Sequence, residues 1–352
     1  MGPRRWFRAI ACAVACVPAL AGVAALAPGA AGLAPPAVAA QQEPAPRDDD
    51  IPTIRVDIDV VNLQVSVKDR KGGLITTLDK TDFEIYEDDE RQQVRYFSRE
   101  TDLPLTVGLL IDSSVSQHRL IAAEREAGEM FFRRVLGPKD LAFLISFDTD
   151  VDLLQDFTSN ITLLRRALDD VRVNAPAAPV AIPSAQGPFP SIQTGGTHLY
   201  DAIYLAAREK LGAEVGRKAV VVITDGVDAG SRVEWKEAIE AGHRADVIVY
   251  GIVFFDRQFY GRFGFAPQGE LKKIAEETGG RVIEIDRDKD LPAAFEAISR
   301  ELRSQYSIGY ISTNAARDGR FRQVKVKTVR GGLRVQARKG YYAPLASGSA
   351  AP

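Results

Sequence analysis

The sequence predicts an α/β protein: a doubly wound, mostly parallel sheet, set between two β segments that combine into an accessory β-sandwich. Three observations carry this. From about Leu105 to Ser304, short apolar runs alternate with stretches of helical period, the pattern of strand–helix–strand units. Before and after that zone the apolar residues recur with period two, the mark of half-buried strands. The chain has 352 residues, 45% hydrophobic and 26% charged, enough for two domains at about 150 residues each and too balanced for disorder.

The first forty residues have the three-part order of an export signal. MGPRRWFR is a positive n-region, IACAVACVPALAGVAALA is an apolar core, and Ala37-Val38-Ala39-Ala40 precedes Gln41. Cleavage after Ala39 or Ala40 fits; the alternative is a retained anchor, since the apolar core is marginally long enough to span a bilayer. Both cysteines, Cys12 and Cys16, lie inside this segment. The mature chain is therefore expected to fold without disulfides and without thiol chemistry. Residues 41–53 (QQEPAPRDDDIPT) are rich in proline and charge and read as a spacer.

Residues 54–103 read as the N-terminal β segment. IRVDIDVVNLQVSVKD alternates, Leu74–Leu78 and Phe83–Glu87 follow, and Gln93–Phe97 closes a set of four short strands. Residues 104–304 form the α/β zone. LTVGLLID is a continuous apolar run, as a strand buried on both faces requires. After it come a helix at about Arg119–Leu136, a strand Leu141–Asp148 and a helix Ile161–Val171. Past a proline-rich loop at 175–193 the chain gives helix Leu199–Leu211, strand Ala219–Thr224, helix Val233–Ala245 and strand Val247–Val253. Helix Gly269–Thr278, strand Arg281–Ile285 and helix Leu291–Ser304 complete the zone. Residues 305–345 return to period two (QYSIGYIS, FRQVKVKTV, LRVQARKGYY), and 346–352 read as a disordered tail. Neither β segment holds enough strands for a core of its own. The two are expected to combine into one sandwich, in preference to two separate β pieces packed on the α/β zone.

Lys+Arg is 45 against Asp+Glu 47, and without residues 1–40 the balance is 42 against 47, or −5. A mildly acidic chain argues against nucleic acid and fits a cation. The candidate ligands gather by topology. Ligand sites of open α/β sheets form at the carboxyl ends of the strands. The first α/β strand ends in Asp112-Ser113-Ser114-Val115-Ser116, and the strand of residues 219–224 ends in Asp225-Gly226. Between them Thr194-Gly195-Gly196-Thr197-His198-Leu199-Tyr200-Asp201 opens a helix behind two glycines. Carboxylates and hydroxyls are hard oxygen donors, suited to Mg²⁺, Mn²⁺ or Ca²⁺ and not to Zn²⁺.

Together DSSVS, TGGTHLYDA and VVVITDGVD resemble the von Willebrand factor type A (VWA) domain with an intact metal-ion-dependent adhesion site. The resemblance covers about 104–300. The flanking β segments resemble a bacterial group of exported proteins described as VWFA-related, whose function is largely undefined. Carried over by position, the resemblance implies a metal set of Asp112, Ser114, Ser116, Thr197 and Asp225. It implies a divalent cation, Mg²⁺ first and Mn²⁺ or Ca²⁺ as alternatives, held by the hydroxyls directly and by the aspartates partly through water. With two carboxylates beside it the ion stays electrophilic, and a protein partner presenting Asp or Glu completes its shell.

Asp201 and Asp228 are candidates for supporting hydrogen bonds, and His118 and His198 read as rim residues. The loop FFDRQFYGRFGF follows a strand onto the same edge; Phe255, Phe259, Tyr260, Phe263 and Phe265 are candidate partner contacts, aromatic residues being interface anchors. An enzyme reading fails. Asp112 and His198 echo the Asp and His elements of subtilisin-like hydrolases, but no serine in a Gly-Thr-Ser turn follows. Phosphate-loop, CxxC and HExxH motifs are missing from the sequence. The sequence thus predicts an exported, periplasmic or extracellular, metal-dependent protein-binding module that is not an enzyme and has no membrane span after signal cleavage. The alternative is a structural envelope protein whose metal only stiffens its loops.

Overall fold

The computed structural model describes residues 59–99, 103–173, 196–254 and 269–346. The export segment, the proline-rich loop and the aromatic loop that holds Phe255, Phe259, Tyr260, Phe263 and Phe265 lie outside the described residues.

The chain opens with β1 (Val60–Lys68), β2 (Phe83–Glu87), β3 (Glu90–Gln92) and β4 (Val94–Ser98). It enters the central sheet with β5 (Leu105–Asp112), followed by α1 (Ile121–Val135), β6 (Leu141–Phe147), β7 (Val151–Thr158) and α2 (Ile161–Asp170). Then come α3 (Leu199–Leu205, running on as a wider π turn over Ala206–Lys210), β8 (Arg217–Thr224), α4 (Trp235–Ala245) and β9 (Val247–Phe254). α5 (Gly269–Thr278), β10 (Val282–Ile285) and α6 (Leu291–Leu302) complete the α/β part; β11 (Tyr306–Ile311), β12 (Phe321–Thr328), β13 (Arg334–Gln336) and β14 (Gly340–Tyr342) end the chain.

The central sheet has the order β10-β9-β8-β5-β6-β7. Its strands pair in parallel except β6 with β7. β5 is central, and all eight of its residues are buried. Its alternation feeds two cores. Val107, Leu109 and Ile111 meet α1, α2 and α6 on one face, and Leu110 joins Val220, Val222 and residues of α3, α4 and α5 on the other. Gly108 sits where the Phe143 ring crosses the strand: a Cβ there would fall 2.2 Å from Phe143 Cζ. Phe131 of α1 packs on Phe295 of α6, their centroids 4.8 Å apart, and so locks these two helices together.

The two terminal β segments interleave. One sheet has the order β13-β1-β11-β4 and the other β14-β12-β2-β3, so each mixes strands from both ends of the chain. Their facing sides share one core of Leu63, Val65, Val67, Phe83, Ile85, Tyr306, Ile308, Tyr310 and Val324. Inside it Glu87 is buried. It accepts hydrogen bonds from Tyr310 Oη at 2.8 Å and Tyr341 Oη at 3.0 Å, and it pairs with Arg322 at 3.3 Å. The buried carboxylate is thus fully partnered, as burial of a charge demands.

Two elements differ from the sequence pattern. Leu74–Leu78 forms no strand, only a single bridge from Leu74 to Lys68. The Tyr306 hydroxyl takes over its backbone: it accepts from the Leu78 N–H at 3.0 Å and donates to the Ile75 carbonyl at 2.8 Å. Conversely, β7 has no period-two signal, because none of its eight residues is fully buried. It is an edge strand, defined by its ladder with β6 rather than by a core face.

Glu301 of α6 ties the α/β part to the sandwich. Its carboxylate is buried and receives Lys68 of β1 at 2.5 Å, Arg281 at 2.9 Å, Gln336 of β13 at 2.6 Å and Tyr250 of β9 at 3.2 Å. His243 of α4 makes a second contact between the parts. Its ring stacks on Phe321 of β12 with centroids 5.3 Å apart, and its Nε2–H donates to the Glu277 carbonyl at 2.9 Å. Burial holds the His243 imidazole below its ordinary range, and its Nδ1 has no partner.

These contacts can be tested by unfolding. Glu301→Gln leaves Lys68 and Arg281 with no matching charge and should cost about 3 kcal/mol in urea unfolding. Glu129→Ala, which breaks only an exposed i,i+4 pair with Arg133, should cost less than about 0.5 kcal/mol; equal costs would refute the anchor. For His243 the folded-state pKa is below the unfolded one. Its contribution is therefore complete above the unfolded pKa near 6.5 and is lost as pH falls below it. The urea midpoint should drop between pH 7.5 and 5.5 by less in His243→Gln than in the wild type, and parallel curves would remove the argument.

Candidate metal centre

The site forms where β5 and β8 end side by side. The two strands pair in parallel up to Ile111 opposite Ile223, so Asp112 and Thr224 emerge together at the carboxyl edge. Asp112 is fully buried. Its Oδ1 accepts from the Ser114 N–H at 2.9 Å and its Oδ2 from the Thr224 hydroxyl at 2.6 Å. Thr224 in turn accepts from the Gly226 N–H at 3.1 Å, and Gly226 takes a positive φ of 85° to make that turn. Burial pushes the Asp112 carboxyl up to about 6; the Ser114 and Thr224 hydrogen bonds oppose this, and the nearby Asp225 charge adds to it. A buried acid with a second acid beside it is the setting in which a cation is most stabilising.

Ser114 is buried, and Ser116 lies in a short 3₁₀ turn at Val115–Gln117 that leads into α1. Asp225 is partly buried and accepts from the Val227 N–H at 3.1 Å.

Thr197 is held between the two strand ends by backbone bonds. Its N–H and carbonyl exchange two 2.9 Å hydrogen bonds with Ala229 of the loop after β8. The next residue, His198, donates its N–H to the Asp148 carbonyl at 2.7 Å, and the Ser113 N–H bonds the adjacent Phe147 carbonyl at 2.8 Å. Gly196 permits this approach, because a Cβ there would stand 2.5 Å from the Ala229 carbonyl oxygen. The loops bearing Asp112, Thr197 and Asp225 are thus joined at one edge, although the two aspartates lie far apart in sequence.

The supporting residues differ from a reading in which any nearby acid serves the ligands. Asp228 is committed to the start of α3: it accepts from the Tyr200 N–H at 3.2 Å and the Ser231 hydroxyl at 2.5 Å. Asp201 accepts from the Arg232 and Val233 N–H groups at 2.9 and 3.0 Å. His198 lies 3.9 Å from Asp201, and His118 is exposed. Three further residues belong to the site or its surroundings without any motif to mark them. Thr224 contacts Asp112 directly, and nothing in an apolar strand announces a hydroxyl aimed across to a neighbour. Asp148 is buried and receives Ser113 Oγ at 3.4 Å. Glu124 of α1 is fully buried, and neither of its carboxylate oxygens has a hydrogen-bond partner; an acid in a stripe of Ile121, Ala127 and Phe131 was the available signal.

The donors gathered here are carboxylate and hydroxyl oxygens. Such donors suit a hard divalent ion, although among the described residues no three His, Cys, Asp or Glu side chains form a group that could hold a metal. Also among the described residues, no helix is long and apolar enough to cross a membrane.

No family model matches the chain, and no curated protein matches it. Solved structures do. Proximal thread matrix protein 1 from the mussel byssus is 15% identical with a TM-score of 0.45, over 62% of this chain and 51% of that one. The conserved hypothetical protein BatB from Bacteroides thetaiotaomicron is 19% identical with a TM-score of 0.41, over 57% of this chain and all of that one. The vWF domain of the type V pili tip protein Mfa5 from Porphyromonas gingivalis is 13% identical with a TM-score of 0.41, over 57% of this chain and 95% of that one. The chain spans about half the length of the mussel protein. The three loop motifs that resemble the VWA domain thus lie on the carboxyl edge of a doubly wound sheet.

Proposed function

We propose that this chain is an exported protein-binding module that engages its partner through a divalent cation held by Asp112, Ser114, Ser116, Thr197 and Asp225. The observation that carries the reading is the buried Asp112 carboxylate, fixed by Ser114 and Thr224 at the edge where the Thr197 and Asp225 loops meet. Mg²⁺ is the first choice, because the donors are few, hard and tightly placed. The ion supplies Lewis acidity toward an incoming oxygen ligand. The chain's own residues do the rest. Thr224 and the Ser114 N–H orient Asp112, and the Thr197–Ala229 bridge sets the spacing of the loops.

The proposed recognition is electrostatic. Two carboxylates match the charge of a divalent ion, so a partner's Asp or Glu meets a neutral centre with an unsaturated ion instead of two bare acids. Without the ion the same approach brings a third negative charge to the site. The positive n-region, apolar core and small-residue end of the first forty residues support export, to the periplasm or beyond. No side-chain constellation among the described residues supports covalent chemistry, and we assign no enzymatic activity. The proposed domain limits are 54–103 and 305–345 for the sandwich segments, around a VWA-like domain at 104–304.

Calorimetry of the mature protein with Mg²⁺, Mn²⁺ and Ca²⁺ tests the site. The wild type should bind at least one ion, and Asp112→Ala should weaken binding by more than the roughly 10- to 100-fold cost of losing an outer partner. Thr224→Val, which removes only the hydroxyl aimed at Asp112, should fall within that roughly 10- to 100-fold range. Absence of binding heat for all three ions would sink the metal reading. Partner capture from envelope extracts should then be abolished both by EDTA and by Asp112→Ala; capture that survives both would place the interface elsewhere.

A further inference from the structure

Glu124 is not among the ligands that the loop motifs name, yet its position ties it to them. It lies in the first turn of α1, on the inward stripe with Ile121, Ala127, Gly128 and Phe131, and it is fully buried. At Gly128 α1 comes close to both α2 and β5: a Cβ there would stand 3.1 Å from Leu168 Cδ2 and 3.2 Å from Leu109 Cδ2. One turn back along the helix, about 6 Å, reaches Glu124. Two positions forward along β5, about 6.6 Å, reaches Ile111. The helix runs back along the strand, so Glu124 stands over the end of β5, at the root of the Asp112–Ser116 loop.

Among the described residues nothing pairs with a carboxyl there. Both Glu124 oxygens are buried without a hydrogen-bond partner, and so is Gln117 Oε1, in the turn that joins the loop to α1. Burial raises the Glu124 carboxyl well above the ordinary range, and the charge of Asp112 pushes it the same way. A buried polar group left unmade is costly. A leucine or methionine at this place would extend the core made by Ile121, Phe131 and Leu109 at no such cost.

We propose that Glu124 is an outer carboxylate behind the metal centre, not one of its ligands, and that its charge would add to how tightly a divalent cation is held there. This rests on the metal reading above. A cation bound beside Asp112 would favour the ionised form of Glu124, and that charge, outside the ligand group, would help retain the ion between encounters with a partner.

The test is calorimetric titration of Mg²⁺ and Mn²⁺ into the wild type, Glu124→Gln and Glu124→Asp, with urea unfolding of each in EDTA. Glu124→Gln keeps the shape and removes the charge. It should weaken ion binding roughly 10- to 100-fold while leaving the urea midpoint in EDTA unchanged or higher. Glu124→Asp should recover part of the affinity. Unchanged affinity in Glu124→Gln overturns the proposal, and so does a lowered midpoint in EDTA with unchanged affinity, which would make Glu124 a structural acid only. If Glu124→Gln does not fold in EDTA, Glu124→Met serves in its place with the same two outcomes. A wild type that binds neither ion removes this proposal together with the metal reading, whereas normal wild-type binding with an indifferent Glu124→Gln removes this one alone.

Discussion

Asp112 is where the architecture and the candidate chemistry meet, because β5 gives it no freedom. The strand has neighbours on both edges and helices on both faces, and every one of its residues is buried. Its last carboxylate is delivered to the sheet edge already dry. Dry carboxylates are costly unless something charged or hydrogen-bonded meets them. The chain supplies the N–H and hydroxyl of Ser114 and the hydroxyl of Thr224, which orient the group without cancelling its charge. The loops bearing Thr197 and Asp225 are pinned around this fixed point by backbone bonds to Ala229 and Asp148. A change in β5 packing, such as filling the space beside Gly108 that the Phe143 ring occupies, is therefore felt at the site through the position of a single rigid strand.

The sandwich is held to this frame by buried ionic and aromatic contacts rather than by a shared apolar core. Glu301 gathers Lys68, Arg281, Gln336 and Tyr250 on one carboxylate, and His243 stacks on Phe321. Lys68 and Gln336 join Glu301 of α6, and Phe321 joins His243 of α4, to strands of the terminal β segments. Such contacts require each partner in place and cost much when one is missing. They set one arrangement of the two parts more than they add stability. Within the sandwich the Glu87 cluster does the same for the two interleaved sheets: its carboxylate collects Tyr310, Tyr341 and Arg322 from strands that are distant in sequence.

Much of this was legible in the sequence, for reasons that differ by element. The change of period at Leu105 and back at Gln305 reported burial on two faces against one, so the α/β part and its flanking β segments stood out. What failed to show was structure that depends on a partner. β7 has no apolar face and exists through β6. Leu74–Leu78 has the composition of a strand, but the Tyr306 hydroxyl, from the opposite end of the chain, takes its backbone groups. At the site, Asp112, Thr197 and Asp225 were legible because each ends or opens an element at a recognisable loop. Thr224 was not, since its contact with Asp112 links two residues distant in sequence across neighbouring strands. Glu124 was legible in principle as an acid on a core stripe, a break in an otherwise apolar helical face.

That break matters to the charge balance of the proposed centre. A site with two acids leaves a divalent ion neutral overall and strongly attractive to an external carboxylate. Such an ion is held weakly when nothing is bound. An acid placed behind the two ligands, outside their group, would strengthen the hold on the ion. The placement of Glu124 beneath the loop, rather than beside the open edge, separates these effects in space. A charge there would act from behind β5, away from the edge where Asp225 is only partly buried. In such a centre retention of the metal and recognition of a partner are set by different residues, Glu124 on one side and the Thr197 and Asp225 loops on the other.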